Sequence, residues 1–193
     1  MSDVVSVCGL DVSLSASGFA LKYGNSVLLD TIKTKPESFP NDLARFRYIC
    51  DEIMKRIPKN IGMICIEDFF TPRGPSVGAA IRLAMLGSIV RLALYEAKMP
   101  FFVVSPMSLK KHITGKGVGE KNLILREIYK RHGIECKDDD QADACALSFL
   151  AEHLYININK NKIDIPAYQK EVVDKLIESQ KERGYNIDIK PHL

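Results

Sequence analysis

The 193 residues carry a formal net charge of +3, with 46% apolar and 26% charged residues, a balance that fits a folded domain with a sizeable core and excludes a disordered chain. Cys8, Cys50, Cys65, Cys136 and Cys145 are odd in number, scattered and without a CxxC pair, which argues against a zinc site or a disulfide framework and for a reducing, cytoplasmic setting. No basic stretch followed by a long apolar run opens the chain, so no signal peptide is expected.

In chain order, Val4-Val5-Ser6-Val7-Cys8-Gly9-Leu10 reads as a buried strand ending at Asp11. Gly18-Phe19-Ala20-Leu21-Lys22-Tyr23 and Ser26-Val27-Leu28-Leu29-Asp30-Thr31 flank the hairpin signal Gly24-Asn25, so three antiparallel strands open the domain. A helix starts at Asn41 or Asp42, both good N-caps. Its core stripe is Leu43, Phe46, Cys50, Ile53 and Ile57, and it stops at Pro58. Ile61-Gly62-Met63-Ile64-Cys65-Ile66 is a second buried strand, ending at Glu67. A Pro/Gly-punctuated loop leads to a long helix over 77–97, then a strand at Phe101-Phe102-Val103-Val104. Lys116-Gly117-Val118-Gly119 is a loop, followed by helices over 120–131 and 140–153. This order predicts an α/β fold, a mixed sheet flanked by helices, over residues 1–154. Residues 155–193 form an extension in which 156–162 read as a connector and Pro166 introduces one amphipathic helix.

The helix over 77–94 holds only Arg82 and Arg91 as charges and is otherwise apolar nearly all round, whereas a surface helix shows a single apolar stripe. A membrane span is disfavoured because two arginines inside the run are costly in a bilayer. Two buried faces remain, one on the sheet and one against a second copy of the chain. The alternative is cover by the C-terminal helix of the same chain. Small residues Gly78, Ala79, Ala80, Ala84, Gly87 and Ser88 allow close helix approach, and the reading favours a homodimer.

Asp140-Gln141-Ala142-Asp143 opens an apolar helix and places two carboxylates three residues apart on one face. A solvated acidic first turn explains the pair equally well by itself. Asp11 and Glu67, however, end apolar strands. If those strands are parallel neighbours, their acids converge at one sheet edge, where ligands bind in α/β folds. Four carboxylates without His or Cys suit Mg²⁺ or Mn²⁺, and two such ions about 4 Å apart can drive phosphodiester hydrolysis. Asp138 or Asp139 can substitute for Asp140, but only Asp140 has the three-residue spacing. The segment from Ser105 to Lys137 has eight Lys/Arg against three Glu, consistent with a phosphate-facing surface or a solvated helix face.

Here the chain resembles the RuvC family of Holliday-junction resolvases. The carrying residues are Gly9-Leu10-Asp11-Val12-Ser13-Leu14-Ser15-Ala16-Ser17-Gly18-Phe19-Ala20, Ile66-Glu67-Asp68-Phe69-Phe70, Ser105-Pro106 with Leu109-Lys110-Lys111, Gly115-Lys116-Gly117-Val118-Gly119-Glu120-Lys121, and Asp140-Gln141-Ala142-Asp143-Ala144-Cys145-Ala146-Leu147. The resemblance implies a ribonuclease H-like fold with a five-stranded sheet. It implies a homodimer that cuts branched DNA, with Asp11, Glu67, Asp140 and Asp143 as metal ligands and Lys110 and Lys121 supporting cleavage. Phe70 matches an aromatic that stacks on junction bases. Arg73, Lys111 and Lys116 are further candidate DNA contacts.

Val12-Ser13 stands where the family usually carries Pro-Gly, and the tail past Tyr155 is longer, so a sequence preference at the cut site does not carry over. The rivals are a nuclease of the same fold acting on flaps, RNA–DNA hybrids or RNA, a branched-DNA-binding protein without catalysis, and an actin-like ATPase half. The last needs a second domain for which 193 residues leave no room.

Overall fold

The computed structural model describes residues 5–69, 77–117, 122–160 and 163–182. A five-stranded sheet runs in the order β3-β2-β1-β4-β5, from β1 (Ser6–Asp11), β2 (Ala16–Tyr23), β3 (Ser26–Lys33), β4 (Met63–Glu67) and β5 (Phe101–Val104). The first three strands are antiparallel, with Gly24 turning the β2–β3 hairpin at a left-handed φ of 56°. β4 and β5 then add in parallel to β1. The mixed sheet, the antiparallel first three strands and the hairpin match the expectation, and the strands ending in Asp11 and Glu67 are parallel neighbours.

Among the described residues, six α-helices cover the two faces: α1 (Asp42–Arg56), α2 (Val77–Glu96), α3 (Pro106–Thr114), α4 (Leu123–His132), α5 (Asp139–Lys160) and α6 (Ala167–Glu182). Strand side chains alternate between faces, so the sheet divides the core. Cys8, Leu10, Ile64 and Ile66 pack with α1 and with Leu86, Val90 and Leu94 of α2. Val7, Met63, Cys65, Phe102 and Val104 pack with α3, α4, α5 and α6. α6 docks Val172 and Val173 into that second core and bonds Gln169 Nε2 to the His112 carbonyl at 2.9 Å. It therefore lies across the sheet from α2, which removes the alternative that the C-terminal helix covers α2.

The outer face of α2 is apolar and exposed among the described residues. Val77, Ile81, Met85, Leu92 and Tyr95 are exposed, and Gly78, Ile81, Met85, Ser88, Leu92 and Tyr95 follow the alternating three- and four-residue spacing of a helix–helix seam. α2 has the length and hydropathy to cross a bilayer, but its inner face belongs to the core between α1 and the sheet.

Several local expectations needed correction. Leu43 is 62% exposed; Phe46, Ile49, Cys50 and Ile53 form the inner stripe of α1. α3 was not expected as a helix: Ser105 caps it by accepting from Ser108 N, Pro106 occupies its first turn, and Gly115 ends it at φ 79°. Residues 156–160 continue α5 instead of forming a connector, because Tyr155 and Ile158 pack against the second core. The 154/155 boundary thus falls within one helix.

Candidate active site

Two close approaches position the site. A Cβ on Gly9 of β1 would lie 2.0 Å from the Ala144 carbonyl oxygen, and one on Gly18 of β2 would lie 2.0 Å from that of Asp140. Only glycine lets the main chain of α5 rest on the two strands in this way. The N-terminal turn of α5 is held by Asp138, whose Oδ1 accepts from Gln141 N at 2.9 Å. Asp138 is therefore a cap.

β1 and β4 are parallel, with Leu10 opposite Ile66, so Asp11 and Glu67 stand one step further at the carboxyl ends. By alternation both project towards the α5 face, as Val7 and Met63 do. Asp143 meets them from the helix. One carboxylate oxygen from each of Asp11, Glu67 and Asp143 lies within 4.8 Å of the other two. Asp140 is not part of that cluster, but its charge acts on both Asp11 and Asp143. The structure thus gathers three of the four expected acids within 4.8 Å, and the fourth acts on two of them through its charge.

The electrostatics are those of negative charge short of a cation. Burial, then the charges of Glu67, Asp143 and Asp140, hold the Asp11 carboxyl well above its ordinary range, and a side-chain hydrogen bond joins it to Glu67. Burial also raises Glu67, against the hydrogen bond from Asp11 and the charge of Lys110. Burial and the charges of Glu67, Asp139 and Asp140 push Asp143 up to about 7, against the pull of Lys110. Like charges at this range cannot all ionise unless a counter-ion enters. An all-oxygen, partly buried donor set of this spacing fits a hard divalent cation.

Lys110 projects from α3 close enough for its charge to act on both Glu67 and Asp143. Lys111, on the same helix, pairs with Glu171 of α6 at 2.7 Å, a partner 60 positions away that local sequence patterns do not reveal. Lys116 is exposed beyond the helix end. Phe70, Arg73 and Lys121 lie outside the described residues. Asp68, just beyond the end of β4 and on the opposite side from Glu67, pairs with Arg91 at 2.8 Å. His112 and His153 share a 2.9 Å hydrogen bond in the core, where burial lowers them to about 3 and about 4, so they stay neutral structural groups.

Comparison with known proteins agrees with this geometry. The family model described as crossover junction endodeoxyribonuclease RuvC matches residues 5–150. Curated relatives of that name include the Prochlorococcus marinus (strain NATL2A) protein, 24% identical over 154 residues that cover 77% of this chain and 98% of the relative. The Campylobacter hominis protein is 26% identical over 154 residues, covering 76% and 95%. Among solved structures, Thermus thermophilus RuvC in complex with Holliday junction substrate superposes with a TM-score of 0.61 at 19% identity, covering 80% of this chain and 95% of that one. Thermus thermophilus RuvC alone gives 0.62 at 18%, covering 80% and 96%, and both place the fold. With three carboxylates converging at the parallel strand ends and the family model spanning the whole sheet and the first half of α5, the chain belongs to the RuvC family of crossover junction endodeoxyribonucleases.

Proposed function

We propose that this protein is a homodimeric, Mg²⁺- or Mn²⁺-dependent endonuclease that resolves four-way DNA junctions by hydrolysing one phosphodiester on each of two strands. The observation that carries the reading is the cluster of Asp11, Glu67 and Asp143 oxygens within 4.8 Å of one another. When bound there, divalent cations supply an activated water and Lewis-acid stabilisation of the oxygens of the phosphate, two ions per site being the arrangement that serves both ends of the displacement. Asp11, Glu67 and Asp143 would hold them, with Asp140 adding negative charge that acts on Asp11 and Asp143.

The rest of the chemistry belongs to the chain. Asp11 and Glu67, fixed at adjacent strand ends, and Asp143, fixed by the contact of α5 with the sheet, present a preformed anionic cup. Filling it requires release of the protons that burial retains on these acids. Lys110 borders the cup and supplies positive charge where the phosphate gains negative charge in the transition state. Lys116 and Arg73, with Phe70 and Lys121 by the family match, contribute to DNA contact, and Lys121 joins Lys110 in cleavage.

The dimer follows from symmetry. Two strands of like polarity must be cut, so two sites related by a two-fold axis match the substrate. The exposed seam of Ile81, Met85, Leu92 and Tyr95 is the surface suited to that contact.

Single-turnover assays on four-way junctions, Y-forks, RNA–DNA hybrids and linear duplex test the reading. Asp11→Asn, Glu67→Gln and Asp143→Asn are expected to abolish junction cutting while junction binding persists. Cleavage in excess EDTA, full activity of Asp143→Asn, or a preference for RNA–DNA hybrids overturns it.

A further inference from the structure

Among the described residues, the pairing of β4 with β5 runs to Glu67, which aligns with Val104, and is followed by a backbone bond from Asp68 N to Val104 O at 2.7 Å. What holds the two residues after the metal ligand comes from the opposite face of the sheet. By alternation Asp68 projects away from the carboxylate cup, towards α2. There its Oδ1 accepts from Arg91 Nη2 at 2.8 Å. The Arg91 guanidinium also lies over the Phe69 ring, 4.8 Å from its centroid, and the ring edge fits against Gly87, where an added Cβ would sit 3.2 Å from Phe69 Cδ1. Gly87 and Arg91 are four residues apart, hence on one face of α2. They make a slot with a bare floor and a cationic lid, and Phe69 occupies it.

We infer that Arg91 is a positioning residue for the metal site, fixing the backbone at Glu67 by clamping Asp68 and Phe69 onto α2. The inference rests on the nuclease reading only for its catalytic consequence; the geometry of the clamp stands apart from it. Arg91 touches neither the carboxylate cup nor the place a phosphate would take, since α2 and the cup lie on opposite faces. It acts through the chain. A carboxylate at the last paired position of a strand keeps its direction only if the residues that follow are held. Two of the side-chain contacts that hold them come from one guanidinium, a group whose planar fork and flat face serve an ion pair and a ring together. Lysine reproduces the charge without the stacked plane, and methionine fills the space with neither.

The position of Arg91 within α2 adds a second consequence. Its neighbour Leu92 is 56% exposed on the apolar seam, so the helix that carries the seam also carries the clamp. A dimer contact that fixes α2 would fix the β4 end with it.

Calorimetric Mn²⁺ binding to the full-length protein without DNA tests the clamp separately from the reaction. Arg91→Met is expected to remain folded by circular dichroism and to weaken Mn²⁺ binding at least fivefold. Arg91→Lys should fall between Met and wild type. The reciprocal variant Asp68→Arg with Arg91→Asp, which restores the ion pair in reverse, should recover part of the loss. On four-way junctions the same variants should raise the Mg²⁺ concentration for half-maximal single-turnover cleavage while junction affinity changes less than twofold. Wild-type Mn²⁺ affinity in folded Arg91→Met overturns the inference. So does a loss that the reciprocal variant deepens and that follows melting temperature across the set. If wild-type protein binds Mn²⁺ but cuts no junction, the nuclease reading fails and the binding series still decides the clamp.

Discussion

Asp143→Asn should make the metal-free protein more stable as it makes the enzyme inactive. Asp143 is raised from 3.8 to about 7, chiefly by burial and then by Glu67. In the unfolded chain the carboxyl ionises near its ordinary value. Between those limits the folded state holds a proton that the unfolded state has released, so stability falls as pH rises and levels off above about 7. The contribution is fully present below the unfolded value and lost through the folded one. From about pH 5.5 to about 7 the interval at ~1.4 kcal/mol per unit is worth ~2 kcal/mol. The whole shift sets a ceiling of ~4 kcal/mol, reduced in practice because Glu67 and Asp11 titrate in the same cup. Urea unfolding in EDTA at about pH 5.5 and about pH 8.5 measures it. Wild type should lose ~2 kcal/mol across that range and Asp143→Asn markedly less, so that the variant is the more stable protein at the higher pH. Saturating Mg²⁺ should restore wild-type stability at pH 8.5, by ~2.7 kcal/mol at a hundred times the dissociation constant, and leave the variant little changed. A wild-type stability that is flat or rises with pH, or an equal slope in the variant, would refute the electrostatic account of the cup.

Gly9→Ala puts a Cβ 2.0 Å from a main-chain oxygen of α5 and should cost ~3 kcal/mol or more; a melting temperature within about 2 °C of wild type would contradict the close approach. Leu92→Glu charges the exposed seam and should leave a folded monomer in sedimentation velocity, a dimer at micromolar concentration being the contrary result. Lys110→Met should slow single-turnover cleavage by ~10²-fold at saturating enzyme, with binding kept; a near-wild-type rate removes Lys110 from the cleavage step. Glu171→Gln releases Lys111 from its 2.7 Å partner, and if Lys111 then reaches a phosphate the slope of log affinity against log salt should steepen by ~0.9. An unchanged slope means that the freed lysine stays off the DNA.

Much of the site was readable because it is built at ends of elements. Short buried runs closed by an acid, as at Asp11 and Glu67, read here as strand termini, and the parallel pairing of β1 with β4 then brings the acids together. The spacing of Asp140 and Asp143 correctly put both on one helix face, but it could not say which of them reaches the cup. That depends on where α5 crosses the strands, which Gly9 and Gly18 decide through tertiary contact. α3 has end signals in the sequence, with Ser105 as cap, Pro106 at the start and Gly115 at the end, but lacks a legible period between them. Nine residues with Leu109, His112 and Ile113 inward give too few turns for a clear period. α5 was read too short because Asn157 and Asn159 have low helix propensity, which the packing of Tyr155 and Ile158 overrides. The pairs Asp68–Arg91 and Lys111–Glu171 join residues remote in sequence, and no local pattern announces such partners.

The bare crossing of α5 over β1 and β2 bears on how such a protein can diverge. Most catalytic arrangements inherit their spacing from the volumes of intervening side chains, so a methyl gained or lost in the core is felt at the site. Here carbonyl oxygens of Asp140 and Ala144 occupy the space left by two absent Cβ atoms, and main-chain atoms are the part of a protein that substitution does not resize. The helix seat is thus decoupled from the identity of the residues around it. Core positions are free to drift, at some cost in stability, well before the carboxylates change their separation. A chain 24% identical to a curated relative can in this way alter most of its interior and keep the register of its acids, whereas a single added methyl at Gly9 or Gly18 would reach the site at once.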